Sequence, residues 1–139
     1  MDLAVIHRIG FLFQTPAGPC PCTAQLGYTP AEPWAVTIDF ARHLSVDGRP
    51  VRWCFARDLL IQGTSRTSGQ GDVRIGPLGS QHTLLELRSP LATAALTCPT
   101  AALDDFLQAT FRLVAPGHER PRHDWDTLTA ALTARQGEP

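Results

Sequence analysis

Two short segments of strict period-two alternation set the strongest limit on how this chain folds. Trp34, Val36, Ile38 and Phe40 fall on one side of the first, with Ala35, Thr37, Asp39 and Ala41 on the other. In the second, Val51, Trp53 and Phe55 alternate with Arg52, Cys54 and Ala56. Successive strand side chains point to opposite faces, so each segment reads as a strand with one apolar face. Asp47-Gly48 lies between them as a strong turn signal, and Pro50 suits a strand start. The pair is therefore an antiparallel hairpin, and an apolar sheet face must be covered by something.

The rest of the chain supplies more strands first and helices only late. Leu3, Val5, Ile9, Phe11 and Phe13 share one alternation, which predicts a strand over 3–13. Thr15 to Pro33 holds five prolines and two glycines and reads as a long irregular loop. Ala56 to Gln62 is long enough for about two helical turns, stopped by Gly63. Gly63 to Gly71 carries one charge, Arg66, and reads as a mobile hairpin connection. Asp72 to Ile75 alternates again. Thr83, Leu85 and Leu87 form the apolar side of a further strand, opposite His82, Glu86 and Arg88. Ser89-Pro90 then turns the chain into an Ala-rich strand from Ala92 to Cys98.

Helical spacing appears after that. Pro99 suits a first helical position, and Leu103, Phe106, Leu107 and Thr110 stand at i, i+3, i+4 and i+7. Val114 to His123 is a Pro/Gly/His linker. A last helix starts near Asp126, with Leu128, Ala131 and Leu132 as its stripe and Gly137 as its stop. About six strands followed by two C-terminal helices is an α+β pattern with an antiparallel sheet. The 139 residues suit a single domain over 1–139. A chain of this size buries about 68% of its unfolded surface, so it needs no metal or disulfide staple.

Composition narrows the chemistry. All 12 basic residues are Arg, set against 13 acidic ones, for a net charge of −1. No bulk field favours nucleic acid or anionic lipid. The sequence contains no Lys and no Asn, a pattern that fits a GC-rich genome. Without Lys there is no Schiff-base, P-loop or Ser-x-x-Lys chemistry. The acidic start and Arg8 fit neither a secretory leader nor a membrane span, so a cytoplasmic chain with reduced thiols is expected.

The motif search leaves no enzyme signature. His118 and His123 are five apart with Pro121 between them, which defeats a zinc-protease helix. The stretch reads as a solvated linker. Gly63-Thr64-Ser65-Arg66-Thr67 lacks the second Gly of a nucleophile elbow, and Gly69-Gln70-Gly71 lacks the third Gly of a dinucleotide fingerprint. Asp104 and Asp105 point apart on a helix, and Asp126 serves as a cap. Cys20 and Cys22 sit close together, but the second pair that a structural zinc site needs is missing. Cys54 and Cys98 read as small buried hydrophobes. Arg52, Arg74 and Arg88 would suit a single-stranded nucleic acid if their strands were neighbours, but the aromatics that would stack on bases fall on the core alternation.

One segment is distinctive. Trp53-Cys54-Phe55-Ala56-Arg57-Asp58-Leu59-Leu60 is followed by Gly63, then by Gly69-Gln70-Gly71-Asp72-Val73-Arg74-Ile75 and Pro77. It resembles the SsgA-like sporulation and cell division family of actinobacteria, whose members carry W-x-F-A-R-D-L-L and then G-x-G-D-V-R-V-x-P. The likeness takes in Leu26-Gly27-Tyr28, Pro33 to Val36, Leu85 to Leu87, Ser89-Pro90, Pro99, Leu103 and Phe106-Leu107, covering about residues 26–136. The Pro19-Cys20-Pro21-Cys22 stretch and Cys54 depart from the family pattern.

The resemblance implies a curved antiparallel sheet backed by C-terminal helices, similar to whirly-type single-stranded nucleic-acid binders. It also implies a non-enzymatic, cofactor-free cytoplasmic regulator of septum formation. Such a protein would help place the tubulin-like division GTPase FtsZ, would act at septa, and would bind FtsZ or another SsgA-like protein. It would form a homo-oligomer, dimer or trimer, without entering the membrane; nucleic acid is the disfavoured alternative. The residues expected to meet a partner are Arg57, Asp58, Arg66 and Arg74. For Arg57 and Asp58 two roles stand open: capping with a local ion pair, the ordinary use of such residues at a helix start, and an exposed handle for a partner.

Overall fold

The computed structural model describes residues 3–40, 51–90 and 92–120. The strands are β1 (Val5–Thr15), β2 (Gly18–Tyr28), β3 (Ala35–Phe40), β4 (Val51–Ala56), β5 (Val73–Leu78), β6 (His82–Arg88) and β7 (Thr93–Pro99). Helix α1 (Arg57–Gly63) follows β4, and α2 (Thr100–Leu113) follows β7. All seven strands form one antiparallel sheet in the order β4-β3-β2-β1-β7-β6-β5. The expected fold class is the observed one.

The sheet curls into a half-barrel. Short α1 packs on β5 and touches β4, the two outermost strands, so it draws the ends of the sheet together. Helix α2 lies against β1, β7 and β6, along the middle of the concave face. Its buried residues are Leu103, Phe106, Leu107 and Thr110, the four that the helical spacing selects. Phe106 meets the ring of His7 on β1 edge-on at 5.5 Å. Truncating such a buried aromatic costs about 3–5 kcal/mol. The two halves of the sheet meet only where Leu12 pairs with Thr97 and Phe13 with Leu96.

The predicted hairpin of β3 and β4 is present, with Val36 opposite Phe55 and Ile38 opposite Trp53. Its Asp47-Gly48 turn lies outside the described residues, as does the helix predicted from Asp126 with Leu128, Ala131 and Leu132. Trp34 departs from the reading: it precedes the strand and stands 54% exposed, while Val36, Ile38 and Phe40 are buried. Cys54 also departs. It faces outward on β4 and is exposed, whereas Cys98 is buried as expected.

The main correction is β2. The stretch read as a long loop pairs with β1 from Thr15↔Gly18 to Val5↔Tyr28, closing through Pro16-Ala17. Cys22, Ala24, Leu26 and Tyr28 are buried and alternate with exposed or half-buried neighbours, a period that small residues and prolines mask in the sequence. The prolines are tolerated for a geometric reason. Strand β3 pairs with β2 only over Ala24 to Gly27, so among the described residues Pro19 and Pro21 have no strand on that side. This strand raises the count from about six to seven.

The segment between Gly63 and Gly71 is corrected too. It joins α1 to β5, not strand to strand, and it is fastened: Ser68 and Ile75 exchange backbone hydrogen bonds of 2.8 and 3.0 Å. Helix α1 ends at Gly63 as expected, without a left-handed backbone there. A Cβ on it would lie 2.3 Å from Cγ2 of Ile75, so its glycine lets α1 sit directly on β5.

Candidate functional site

The most unusual environment in the described residues belongs to Arg57. Ala56 keeps an extended backbone (φ −67°, ψ 136°) as β4 ends, and Arg57 opens α1 with its N–H donating to the Trp34 carbonyl at 2.7 Å. That anchor turns the side chain inward, and Arg57 is 0% exposed. Its Nη1 donates to the Val114 carbonyl at 2.7 Å, and to the Thr110 carbonyl and hydroxyl at 3.5 and 3.4 Å. Nη2 donates to Oε2 of Glu119 at 3.1 Å. The guanidinium carbon lies 4.8 Å from the centre of the Tyr28 ring and 5.3 Å from that of Phe111.

This arrangement answers a specific physical need. The last carbonyls of a helix lack intrahelical donors and carry the negative end of its dipole. Arg57 supplies donors and positive charge to the end of α2 from another part of the chain. Two aromatic faces add cation–π attraction, which strengthens when the cation is desolvated. Burying a guanidinium is costly, and the carbonyls, rings and carboxylate together offset that cost. Glu119 is held below the usual carboxylate range, first by its own backbone N–H and then by Arg57 and the Gly117 N–H. Burial pushes the Tyr28 hydroxyl up, an effect Arg57 opposes, while its Oη donates to the Pro33 carbonyl at 2.9 Å.

The ordinary role foreseen for Arg57 holds in a changed form. It caps α2, not its own helix, and its ion pair is with Glu119, not Asp58. The exposed-handle role does not fit a side chain fully inside. Glu119 in turn corrects the reading of 118–123 as a solvated linker: its side chain is only 16% exposed, and His118 and Arg120 flank it on the outside.

The other three predicted partner residues lie on the surface. Gln62 donates to Asp58, and Arg66 donates to Gln62 at 3.2 Å, so Asp58 and Gln62 of α1 and Arg66, just past its end, form a polar ladder. Arg74 stands on β5 opposite Glu86 and is not part of that ladder. The three arginines weighed for nucleic acid are split. Arg52 is on β4 and Arg74 on β5, at opposite edges of the sheet. Arg52 is also engaged by Asp39 through Nε at 2.6 Å and Nη2 at 2.9 Å.

The remaining features are plainer. Among the described residues, no three His, Cys, Asp or Glu side chains come together as metal ligands. The four cysteines are free thiols. Cys20 and Cys22 point to the same face of β2, with Cys22 buried, and burial pushes the Cys98 thiol up to about 12. Among the described residues, no helix is long and apolar enough to cross a membrane. Sequence reading passed over Tyr28, Thr110, Phe111, Val114 and Glu119 as partners of Arg57. The only available signal was that Tyr28 is the sole tyrosine and belongs to the family-like stretch.

The curled seven-stranded sheet, closed at its edges by a short helix and lined by a longer one, defines an SsgA-like fold. A solved structure of an SsgA-like sporulation-specific cell division protein from Thermobifida fusca matches it with a TM-score of 0.79 and 34% identity, covering 94% of this chain and 96% of that one. The family model described as Streptomyces sporulation and cell division protein, SsgA, matches residues 22–119. The chain is 40% identical over 117 residues to the sporulation-specific cell division protein SsgB of Streptomyces coelicolor, covering 82% of this chain and 83% of the relative. It is 38% identical to SsgB of Salinispora tropica, covering 82% and 81%. The chain belongs to the SsgA family of sporulation and cell division proteins.

Proposed function

We propose that this chain regulates septum formation in sporulation-associated cell division, as a non-enzymatic protein-binding adaptor. The observation that carries the reading is the extent of the match. Relatives named as sporulation-specific cell division proteins align over more than four-fifths of this chain and of their own length. In this reading the adaptor helps place the tubulin-like GTPase FtsZ, directly or through another SsgA-like protein. It works in the cytoplasm, at septa, as a homo-oligomer, and needs no cofactor. The polar ladder of Asp58, Gln62 and Arg66 is the surface offered to a partner, with Arg74 on the neighbouring strand.

A fluorescent fusion followed through sporulation tests this directly, together with co-sedimentation of the purified chain with FtsZ polymers. The fusion is expected in a ladder of septal bands, and the chain in the pellet, alone or with a family partner. A diffuse fusion, normal septation on deletion and no co-sedimentation would overturn the proposal.

A further inference from the structure

The two faces of the Arg57 guanidinium are covered by Tyr28 and Phe111, and Nη1 is spent on α2. What remains is the edge formed by Nε and Nη2, whose two N–H bonds run parallel. A carboxylate fits such an edge with one oxygen on each nitrogen. Arg52 shows the complete form on this same molecule: Asp39 takes Nε with Oδ1 and Nη2 with Oδ2. On Arg57 the edge is half used. Glu119 takes Nη2 alone, and Nε, buried in the interior, has no hydrogen-bond partner among the described residues. An unpaired buried donor on a charged group is destabilising. A residue kept in that state has an acceptor position to fill.

We propose that the Nε–Nη2 edge of Arg57 is a carboxylate-binding site, which Glu119 occupies with one oxygen in cis and an acidic segment of a partner chain occupies with both oxygens in trans. The position of Glu119 makes the exchange feasible. It lies beyond the end of α2 on a segment with exposed neighbours, Gly117, His118 and Arg120, and among the described residues it is the only side chain hydrogen-bonded to this edge. In the proposed exchange Glu119 swings out and the incoming carboxylate takes its place, while Tyr28, Phe111 and the carbonyls at the end of α2 hold the guanidinium. The ligand class is a carboxylate because the planar fork already binds one. The inference deepens the adaptor reading by giving its partner a chemistry.

The test uses the full chain and a hexaglutamate peptide, followed by the side-chain Nε–H resonance of Arg57. The peptide is expected to move that resonance, with the Nε–H of Arg52 unmoved. Glu119→Ala removes the internal competitor and should tighten binding by about tenfold, as expected when the competent state is a minor one. Arg57→Lys keeps the charge but loses the fork and should abolish binding; the wild-type and Glu119→Ala results stand even if that variant unfolds. Equal affinities for wild type and Glu119→Ala, or peptide shifts confined to Arg52, Arg66 and Arg74, would overturn the proposal. A chain that co-sediments with FtsZ but whose Arg57 ignores the peptide loses this inference and keeps the septation role. The reverse pair of results does the opposite.

Discussion

The molecule holds two arginine–carboxylate pairs that differ in almost everything but chemistry. Arg52 and Asp39 sit opposite each other on β4 and β3 with two short hydrogen bonds, and their side chains are 67% and 35% exposed. Arg57 and Glu119 share one longer bond, with side-chain exposures of 1% and 16%. By geometry the first pair is the better one. By consequence the second dominates, because water screens an exposed pair and replaces it readily when it breaks, while a buried charge has no substitute partner. The difference bears on the family motif as well. Arg57 lies in its centre, and Phe55, Leu60, Gly63, Val73 and Ile75 around it are buried. The stretch that makes the family recognisable holds the half-barrel together.

Four variants push on this contrast, in decreasing order of effect. Arg57→Met takes the side-chain donor from the Val114 carbonyl and breaks the ion pair with Glu119, and should lower the urea-unfolding free energy by about 3 kcal/mol. Gly63→Ala leaves both ion pairs intact but drives a methyl group into Ile75. It should cost about 2 kcal/mol by the same measurement, separating steric from electrostatic dependence on α1. Glu119→Gln weakens one charge-assisted bond and should cost about 1 kcal/mol. Arg52→Ala should leave the midpoint unchanged within error, and any effect at low salt should vanish as salt is raised.

Acid sharpens the comparison further. The carboxyl of Glu119 ionises more readily folded than at its ordinary value of 4.5. Its contribution is therefore complete above that value and is lost as pH falls below it, through the lowered folded value. Wild type should lose more stability than Glu119→Gln between pH 5 and 3, monitored by thermal midpoint, on the scale expected of a carboxylate titrating in about that range.

Much of this fold was readable because its strands obey a period of two. Val36, Ile38 and Phe40 face inward, as do Thr83, Leu85 and Leu87, and the four apolar positions of α2 follow from helical spacing. Strand β2 was hidden because Pro19 and Pro21 look like breakers until it is known that, among the described residues, no strand pairs with that side of them. Cys54 misled because its apolar neighbours suggested burial while its own parity put it outside. The site was legible only in part. Arg57 was read as a local cap or a handle for a partner, but its acceptors lie 53 to 62 residues away along the chain, on α2 and beyond. No local pattern encodes which way a residue at a strand–helix junction will turn when the helix it caps is elsewhere in the sequence. Glu119 was invisible for the same reason, one acidic residue in a polar stretch.

Burial, not bond geometry, decides which ion pair organises the protein. A pair of double-mutant cycles in urea measures it: Arg57→Met with Glu119→Gln, and Arg52→Ala with Asp39→Asn. A coupling on the order of 1 kcal/mol is expected between Arg57 and Glu119, and none above error between Arg52 and Asp39. A coupling for the exposed pair equal to or larger than that of the buried pair would contradict it.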